Sequence, residues 1–196
     1  MAGQRLNPDD PIDDIALSWL RERPGTPVEG IGIVTRIWHI AKLLGEERRR
    51  VLAAAGADPA TLDLLSVLRR SGKPFQLTTR ELAERTMVTP GAVSQRIARA
   101  ERTGLVERHT RADGSRAVVV TLTPTGHTFV EHLVDEVLNR EYELVAGLTP
   151  DQRAALTDLL RMLLADLSGT LGGQRPSQAG DGTPVNLPRP EPRAVI

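Results

Sequence analysis

Two helix starts lie close together in the middle of the chain, and they constrain its fold more than any other feature. Thr78 and Glu81 have the spacing of a capping box, which predicts a short helix over residues 79–87. Thr89 followed by Pro90 predicts a second helix over residues 90–103, because it places a capping hydroxyl before a proline at the first helical position. Two short helices joined this tightly are typical of a helix-turn-helix.

The segment after the helix pair has the pattern of a β-hairpin. Residues 105–110 and 116–123 read as strands around Asp113-Gly114, a dipeptide that favours a tight turn. A helix pair followed by a hairpin is the order of a winged helix-turn-helix, in which the second helix enters the DNA major groove. The predicted fold class is therefore mainly α with a small β-hairpin wing (α+β).

Further helices are predicted on both sides of the winged helix-turn-helix. Asp10-Pro11 and Asp58-Pro59 open two of them, and a longer helix covers about residues 30–55. The first helix carries an apolar stripe of Ile12, Ile15, Ala16, Trp19 and Leu20. Pro124 and Pro150 open the last two helices.

The last predicted helix has the strongest helical periodicity in the chain. Its leucines recur at i, i+3, i+4, i+7, i+8 and i+11, and they are Leu156, Leu159, Leu160, Leu163, Leu164 and Leu167. A small winged domain cannot cover so wide a stripe on a terminal helix, so we expect a homodimer. The alternative is that this helix packs only within its own chain.

These elements predict three regions. Residues 1–29 form an N-terminal extension with an extra helix. Residues 30–168 form the winged-helix domain, with a DNA-binding core at about 59–123 and dimerisation helices at about 30–55 and 124–168. Residues 169–196 are rich in glycine and proline and are predicted to be a disordered tail.

Composition argues against several classes of protein. The chain of 196 residues contains no cysteine, and its four histidines lack metal-ligand spacing, so neither a metal nor a cofactor is expected. It contains no phosphate-binding glycine-rich loop and no convergent acid, base and nucleophile, so it is not expected to be an enzyme. The absence of a membrane-length apolar run or a hydrophobic signal region predicts a cytoplasmic protein.

Positive charge is concentrated where DNA would lie. The net charge is zero, yet residues 89–116 contain six arginines against three acids. On the second helix of the pair, Val93, Ile97 and Ala100 lie within about 40° of one another and must face the core. The candidate DNA-contacting residues lie on the outer face of this helix or on the wing, and they are Thr89, Gly91, Ser94, Gln95, Arg99, Arg102, Arg111 and Arg116.

These side chains suit different parts of a DNA duplex. Gln95 can pair with adenine, and Arg99 with guanine or phosphate, whereas Arg102 is expected to meet phosphate. Arg111 and Arg116 flank the hairpin tip, where arginine is suited to the minor groove. The alternative is a winged-helix protein-interaction module that does not respond to a ligand. Such a module has no reason to place arginine on both the helix and the wing.

Three segments give the chain a resemblance to the MarR family of transcriptional regulators. They are residues 77–83, residues 94–97 with 101–106, and residues 116–126, where Arg116 precedes a valine-rich strand and Leu122-Thr123-Pro124-Thr125-Gly126. Gly114 stands at the position where the family wing has an acid. The resemblance implies a homodimer formed by the N- and C-terminal helices. It also implies a repressor that a small ligand releases from a palindromic operator in double-stranded DNA.

A narrower resemblance points to the urate-responsive branch of that family. The extra first helix carries Trp19 and ends with Glu22-Arg23-Pro24, as in that branch. The resemblance then implies a ligand-binding set of Trp19, Asp63, Arg96 and Arg108. A histidine of the branch is replaced here by Ala41. The expected ligand is therefore a small anion, either urate or a related purine or carboxylate.

The chemistry of these residues supports an anion site. Asp63 interrupts a run of leucines, and a buried carboxylate needs a partner. Arg96 lies about 60° from Val93 on the helix, at the edge of the inward face, and Arg108 shares a strand face with Val106. Two inward arginines near one acid would leave positive charge for a ligand. The alternative is a structural Asp–Arg bridge with Trp19 filling the core.

Overall fold

The structure is a computed structural model that describes residues 6–110 and 117–171. The chain divides between Ala54 and Ala55 into two compact units. The N-terminal unit contains α1 (Pro11–Glu22) and α2 (Ile31–Ala54). The three regions expected from the sequence stay predictions.

The second unit contains five helices and three strands among the described residues. The helices are α3 (Pro59–Arg70), α4 (Thr79–Thr86), α5 (Pro90–Arg102), α6 (Pro124–Leu144) and α7 (Pro150–Leu171). The strands are β1 (Gln76–Thr78), β2 (Val106–Thr110) and β3 (Val118–Leu122). The mainly helical fold with a small β wing is confirmed.

The predicted capping residues determine where the helices of the second unit begin. Asp58 accepts a hydrogen bond from the Thr61 amide at 2.7 Å and caps α3. Thr78 and Glu81 form a complete capping box at α4, and Thr89 caps α5. Each cap satisfies backbone donors that the first turn of a helix leaves without partners.

A third strand extends the predicted hairpin into a three-stranded antiparallel sheet. The strand order is β1-β3-β2, with Leu77 opposite Val120 and Val106 opposite Leu122. The sequence analysis missed β1, because its three residues are too few to show an alternating pattern. Its pairing with β3 fastens the wing to the segment that leads into α4.

The core of the second unit lies where α3, α4 and α5 meet the sheet. The predicted inward face of α5 is confirmed, since Val93, Ile97 and Ala100 are all buried. They pack in one cluster with aliphatic residues of the other elements, which include Leu64, Leu65 and Leu68 of α3, Leu82 of α4, and Val106 and Val120 of the sheet. The opposite face of α5 is therefore left to solvent.

The first residues of the predicted tail are helical. The helix α7 continues to Leu171, so residues 169–171 are helical rather than part of a disordered tail. The remainder of the predicted tail, residues 172–196, lies outside the described residues. Among the described helices, none alone has the length and apolar character to cross a membrane, although α2 and α3 pass that test when joined as a bent pair.

In the N-terminal unit, an ion-pair cluster connects α1 to α2. The Arg36 guanidinium of α2 contacts Asp10 at 2.7 Å and Asp13 at 3.0 Å. Asp13 is only 6% exposed, and its other oxygen accepts a hydrogen bond from the Asn7 amide. Within the apolar stripe of α1, Ala16 is buried whereas Ile15 and Trp19 are exposed, and Asp13 is buried as well. Pairing with Arg36 is what allows an acidic residue to occupy the buried face.

The same cluster changes the protonation of Asp10. Its hydrogen bond with Arg36, together with those from the Asp13 and Ile12 amides, holds the pKa of the Asp10 carboxyl below its ordinary value. Asp10 in turn raises the pKa of Arg36. The charged forms of both groups are therefore favoured in the folded unit.

Gly126 allows the start of α6 to approach the start of β2 closely. A Cβ at this position would lie 2.0 Å from the Leu105 carbonyl oxygen, which is far inside van der Waals contact. The same region is held by Thr123, whose amide donates to that oxygen at 3.2 Å and whose hydroxyl donates to Gly104. The atom in the way belongs to the backbone, so it cannot move aside as a flexible side chain could.

Replacing Gly126 with alanine should destabilise the second unit. We expect Gly126→Ala to lower the free energy of unfolding by about 1–3 kcal/mol, the usual cost of overpacking. Gly169→Ala in α7 is the matched control, because a Cβ there meets nothing within 4 Å. Urea unfolding followed by circular dichroism measures the free energy of unfolding of both variants. If Gly126→Ala were as stable as Gly169→Ala, the close approach of α6 to β2 at Gly126 would be contradicted.

Acid should loosen the N-terminal unit through Asp10. Its pKa is lower in the folded chain than in the unfolded chain, so the pairing stabilises the unit at pH values above the unfolded pKa of about 4. That stability should be lost as the pH falls through the lower, folded pKa. Fluorescence during urea unfolding at several pH values reports this, because both tryptophans, Trp19 and Trp38, lie in this unit.

Arg36→Gln removes the charge that Asp10 and Asp13 share and provides the comparison for this pH profile. The variant should lose stability at neutral pH and should show a flatter profile between about pH 5 and pH 2. Parallel profiles for the variant and the wild type would contradict the role given to Arg36.

Candidate nucleic-acid interface

The outer face of α5 presents polar and small residues to solvent. Gln95 and Arg102 are exposed along this face, and a Cβ at Gly91 would meet nothing within 4 Å. The Ser94 hydroxyl donates to the Pro90 carbonyl at 2.9 Å, and the Thr89 hydroxyl accepts from the Ala92 amide at 3.3 Å. The hydroxyls of Ser94 and Thr89 are thus hydrogen-bonded to backbone groups of α5. At Gly91, no described residue would contact an added Cβ.

Within the candidate interface, the described part of the wing consists of the strands β2 and β3. β2 and β3 pair from Val106 opposite Leu122 to Thr110 opposite Val118. Arg111 and Arg116, the predicted wing contacts, lie outside the described residues.

Arg99 is connected to the start of α3. Its Nη1 donates to Asp58 Oδ2 at 2.5 Å, and the two side chains are 60% and 41% exposed. Arg99 therefore lies at the border between the outer face of α5 and the surface of α3. The sequence analysis identified Asp58 as a helix cap, but the cap uses Oδ1 and leaves Oδ2 for Arg99.

A second and deeper ion pair connects the same two helices. Arg96 Nη1 donates to Asp63 Oδ2 at 2.9 Å, with side-chain exposures of 22% and 4%. Asp63 is buried in the middle of α3 among Leu62, Leu64 and Leu65. The structure thus brings together two of the four residues in the predicted ligand-binding set.

The other two residues of that set have different surroundings. Arg108 is exposed rather than inward, and its partner is Glu101 of α5. That hydrogen bond raises the pKa of Arg108 and lowers the pKa of Glu101. Trp19 belongs to the N-terminal unit and is 51% exposed in the single chain. The assignment of all four to a ligand stays a prediction.

The side chains on the exposed face of α5 are suited to hydrogen bonding with nucleic acid. The exposed face of α5 offers an amide and a guanidinium, and these groups can donate to bases and phosphates. Among residues 6–110 and 117–171, no group of three or more His, Asp or Glu side chains could hold a metal ion.

Comparison with known proteins agrees with this arrangement. The sequence model of the MarR family matches residues 55–117. The transcriptional regulator PecS of Dickeya dadantii is 23% identical over 149 residues, which cover 76% of this chain and 90% of PecS. The uncharacterised transcriptional regulator YwaE of Bacillus subtilis is 29% identical over 157 residues, which cover 79% of this chain and 90% of YwaE. Both relatives are named as regulators rather than as enzymes.

The fold also matches solved structures of regulators. Sco3205 of Streptomyces coelicolor, a MarR family regulator solved in complex with DNA, superposes with a TM-score of 0.60 at 26% identity. The match covers 71% of this chain and 92% of Sco3205.

The ion pair between Arg96 of α5 and Asp63 of α3 should matter more for folding than the pair between Arg108 of β2 and Glu101 of α5. Arg96→Met leaves the Asp63 carboxylate buried without its cation, and we expect a loss on the order of 3 kcal/mol in the free energy of unfolding. Arg108→Met breaks an exposed pair and should cost less than about 1 kcal/mol. Urea unfolding of the full chain measures both, and losses of equal size would show that the Arg96 pair is not the deeper constraint.

Proposed function

We propose that this chain is a DNA-binding transcriptional regulator of the MarR family. It would repress by binding a palindromic operator as a homodimer and would leave the operator when a small anion binds. The proposal is supported by the match of residues 55–117 to the family model and by the similarity to PecS and Sco3205. The observation that carries the proposal is the division of α5 into two faces. Val93, Ile97 and Ala100 are buried, whereas Gln95 and Arg102 are exposed on the other side.

In this proposal α5 is the recognition helix. Gln95 would read adenine in the major groove through its amide, and Arg102 would contact phosphate. The open position at Gly91 would let the helix backbone approach the duplex. The N-terminal turn of α5, with Thr89 and Ser94, would face a phosphate, because helix N-termini favour negative charge. Arg111 and Arg116 would extend along the minor groove from the wing.

The proposal of a homodimer is supported by the apolar surface of α7. None of its residues is buried in the single chain, and its exposed side chains include Leu156, Leu159, Leu160, Met162, Leu164 and Leu167. A contiguous apolar helix face of this size is typical of a protein interface. In a twofold dimer, two copies of α5 would be presented to two half-sites, which makes the operator palindromic.

The proposed ligand response depends on the connection between α3 and α5. An anion that competes with Asp63 for Arg96 would release one contact that fixes the recognition helix. The two helices of the dimer would then lose the spacing that matches the half-sites. The anion class is urate or a related purine or carboxylate, and Trp19 and Arg108 are the further residues proposed to contact it.

The decisive experiment is DNA binding by the purified full chain, at two salt concentrations, with and without urate. The probe is a duplex that the wild-type protein selects from a randomised pool. We expect nanomolar binding that weakens as salt rises, because the contacts release counterions from the duplex. Arg102→Gln should weaken binding to every sequence alike and reduce the salt slope by about one.

Arg21→Gln is the matched control for that variant, because it removes the same charge from α1. It should bind DNA like the wild type. A urate response left unchanged by Asp63→Asn or Arg108→Ala would contradict the ligand site, and salt-sensitive binding without any urate effect would redirect the search to other anions. Selection of no DNA would contradict the proposed function and favour a protein-interaction module.

A further inference from the structure

Two arginines on one edge of α5 are held by two acids of α3 and its cap. Arg96 and Arg99 are three residues apart on the helix, and they pair with Asp63 and Asp58. The two pairs differ in their access to solvent. Asp63 is almost completely buried, whereas the Asp58 and Arg99 side chains are 41% and 60% exposed.

Asp58 uses its two carboxylate oxygens for separate purposes. Oδ1 accepts from the Thr61 amide and caps α3, while Oδ2 accepts from Arg99. Partial burial raises the pKa of Asp58, but the Thr61 hydrogen bonds and the charges of Arg99 and Arg96 outweigh it and lower the pKa overall. The carboxylate is therefore charged at neutral pH and repels any anion that approaches Arg99.

We propose that Asp58 is an internal competitor of DNA for Arg99 and thereby sets the affinity of the recognition helix for DNA. The inference rests on the proposed function, since it requires α5 to contact DNA. When the helix docks, a phosphate or guanine takes the place of the Asp58 carboxylate on the Arg99 guanidinium. The exposed pair is suited to this exchange, because a surface ion pair contributes little and its partners remain hydrated.

The burial of the neighbouring Arg96–Asp63 pair explains why the proposed competition with DNA is assigned to Asp58 rather than to Asp63. Asp63 is closed off by the core, and separating Arg96 from it would leave a buried charge. Asp58 has no such constraint, because solvent can hydrate the carboxylate once Arg99 leaves. When DNA docks in the absence of the proposed anion, Arg99 can therefore change partners while Arg96 keeps α5 in place.

Asp58→Asn separates the two purposes of the residue. Asparagine keeps an oxygen that can cap α3, and it is as good a capping residue as aspartate. The variant loses only the negative charge that faces Arg99, so its melting temperature should stay close to that of the wild type. We expect about two- to fivefold tighter binding to the selected duplex at low salt. Asp58→Ser, another capping residue without charge, should do the same if the asparagine variant folds poorly.

A double-mutant cycle with Arg99→Ala distinguishes competition from a general loss of negative charge. Competition predicts that Asp58→Asn has no effect on DNA binding in the Arg99→Ala background. The charge control is Glu107→Gln on β2, an exposed acid opposite Thr121, which should have the same effect in both backgrounds. The same gain from Asp58→Asn in both backgrounds would overturn the proposal.

The remaining outcomes separate this inference from the function on which it rests. Weaker or unchanged binding by Asp58→Asn, with normal binding by the wild type, would overturn the competition alone and leave a DNA-binding regulator. Failure of the wild type to select any duplex would overturn both.

Discussion

A carboxylate buried in the middle of α3 is the constraint on which the winged-helix unit depends. Asp63 lies among leucines that form the core, and Arg96 of α5 reaches it and balances its charge. The pair fixes one edge of α5 against α3, and the burial of Val93 and Ile97 fixes the adjacent face. Once both are in place, the remaining face of α5 can only point to solvent. The orientation of the proposed recognition helix thus follows from the core.

Much of this fold could be predicted from local chemistry. The caps at Asp10, Asp58, Thr78, Thr89 and Thr123 begin helices because each satisfies backbone donors within its own turn. The missed features depend on contacts far apart in the chain. β1 is defined by its pairing with β3, and the burial of Asp13 is defined by Arg36 on another helix. Neither the length of β1 nor the apolar pattern of α1 contains that information.

The candidate site was predicted to a similar extent. Helical periodicity is sufficient to separate the buried and exposed faces of α5, because one helix determines both. The run of leucines indicates that Asp63 is buried and needs a partner, but it does not identify Arg96 as that partner. Alternation along β2 places Arg108 on the face of Val106, yet the side chain is exposed and meets Glu101, because alternation does not determine how far the core extends under a strand. The second partner of Asp58 depends on how α3 and α5 cross, which no local pattern specifies.

The central claim is that α5 reads DNA from a twofold dimer, and hydroxyl-radical footprinting of the full chain on its selected duplex tests it most directly. The account predicts two protected patches on one face of the duplex, with centres about one helical turn, roughly 10 base pairs, apart or a multiple of it. A single protected patch would contradict the dimer. Protection spread evenly along the duplex, without regard to sequence, would contradict recognition by α5.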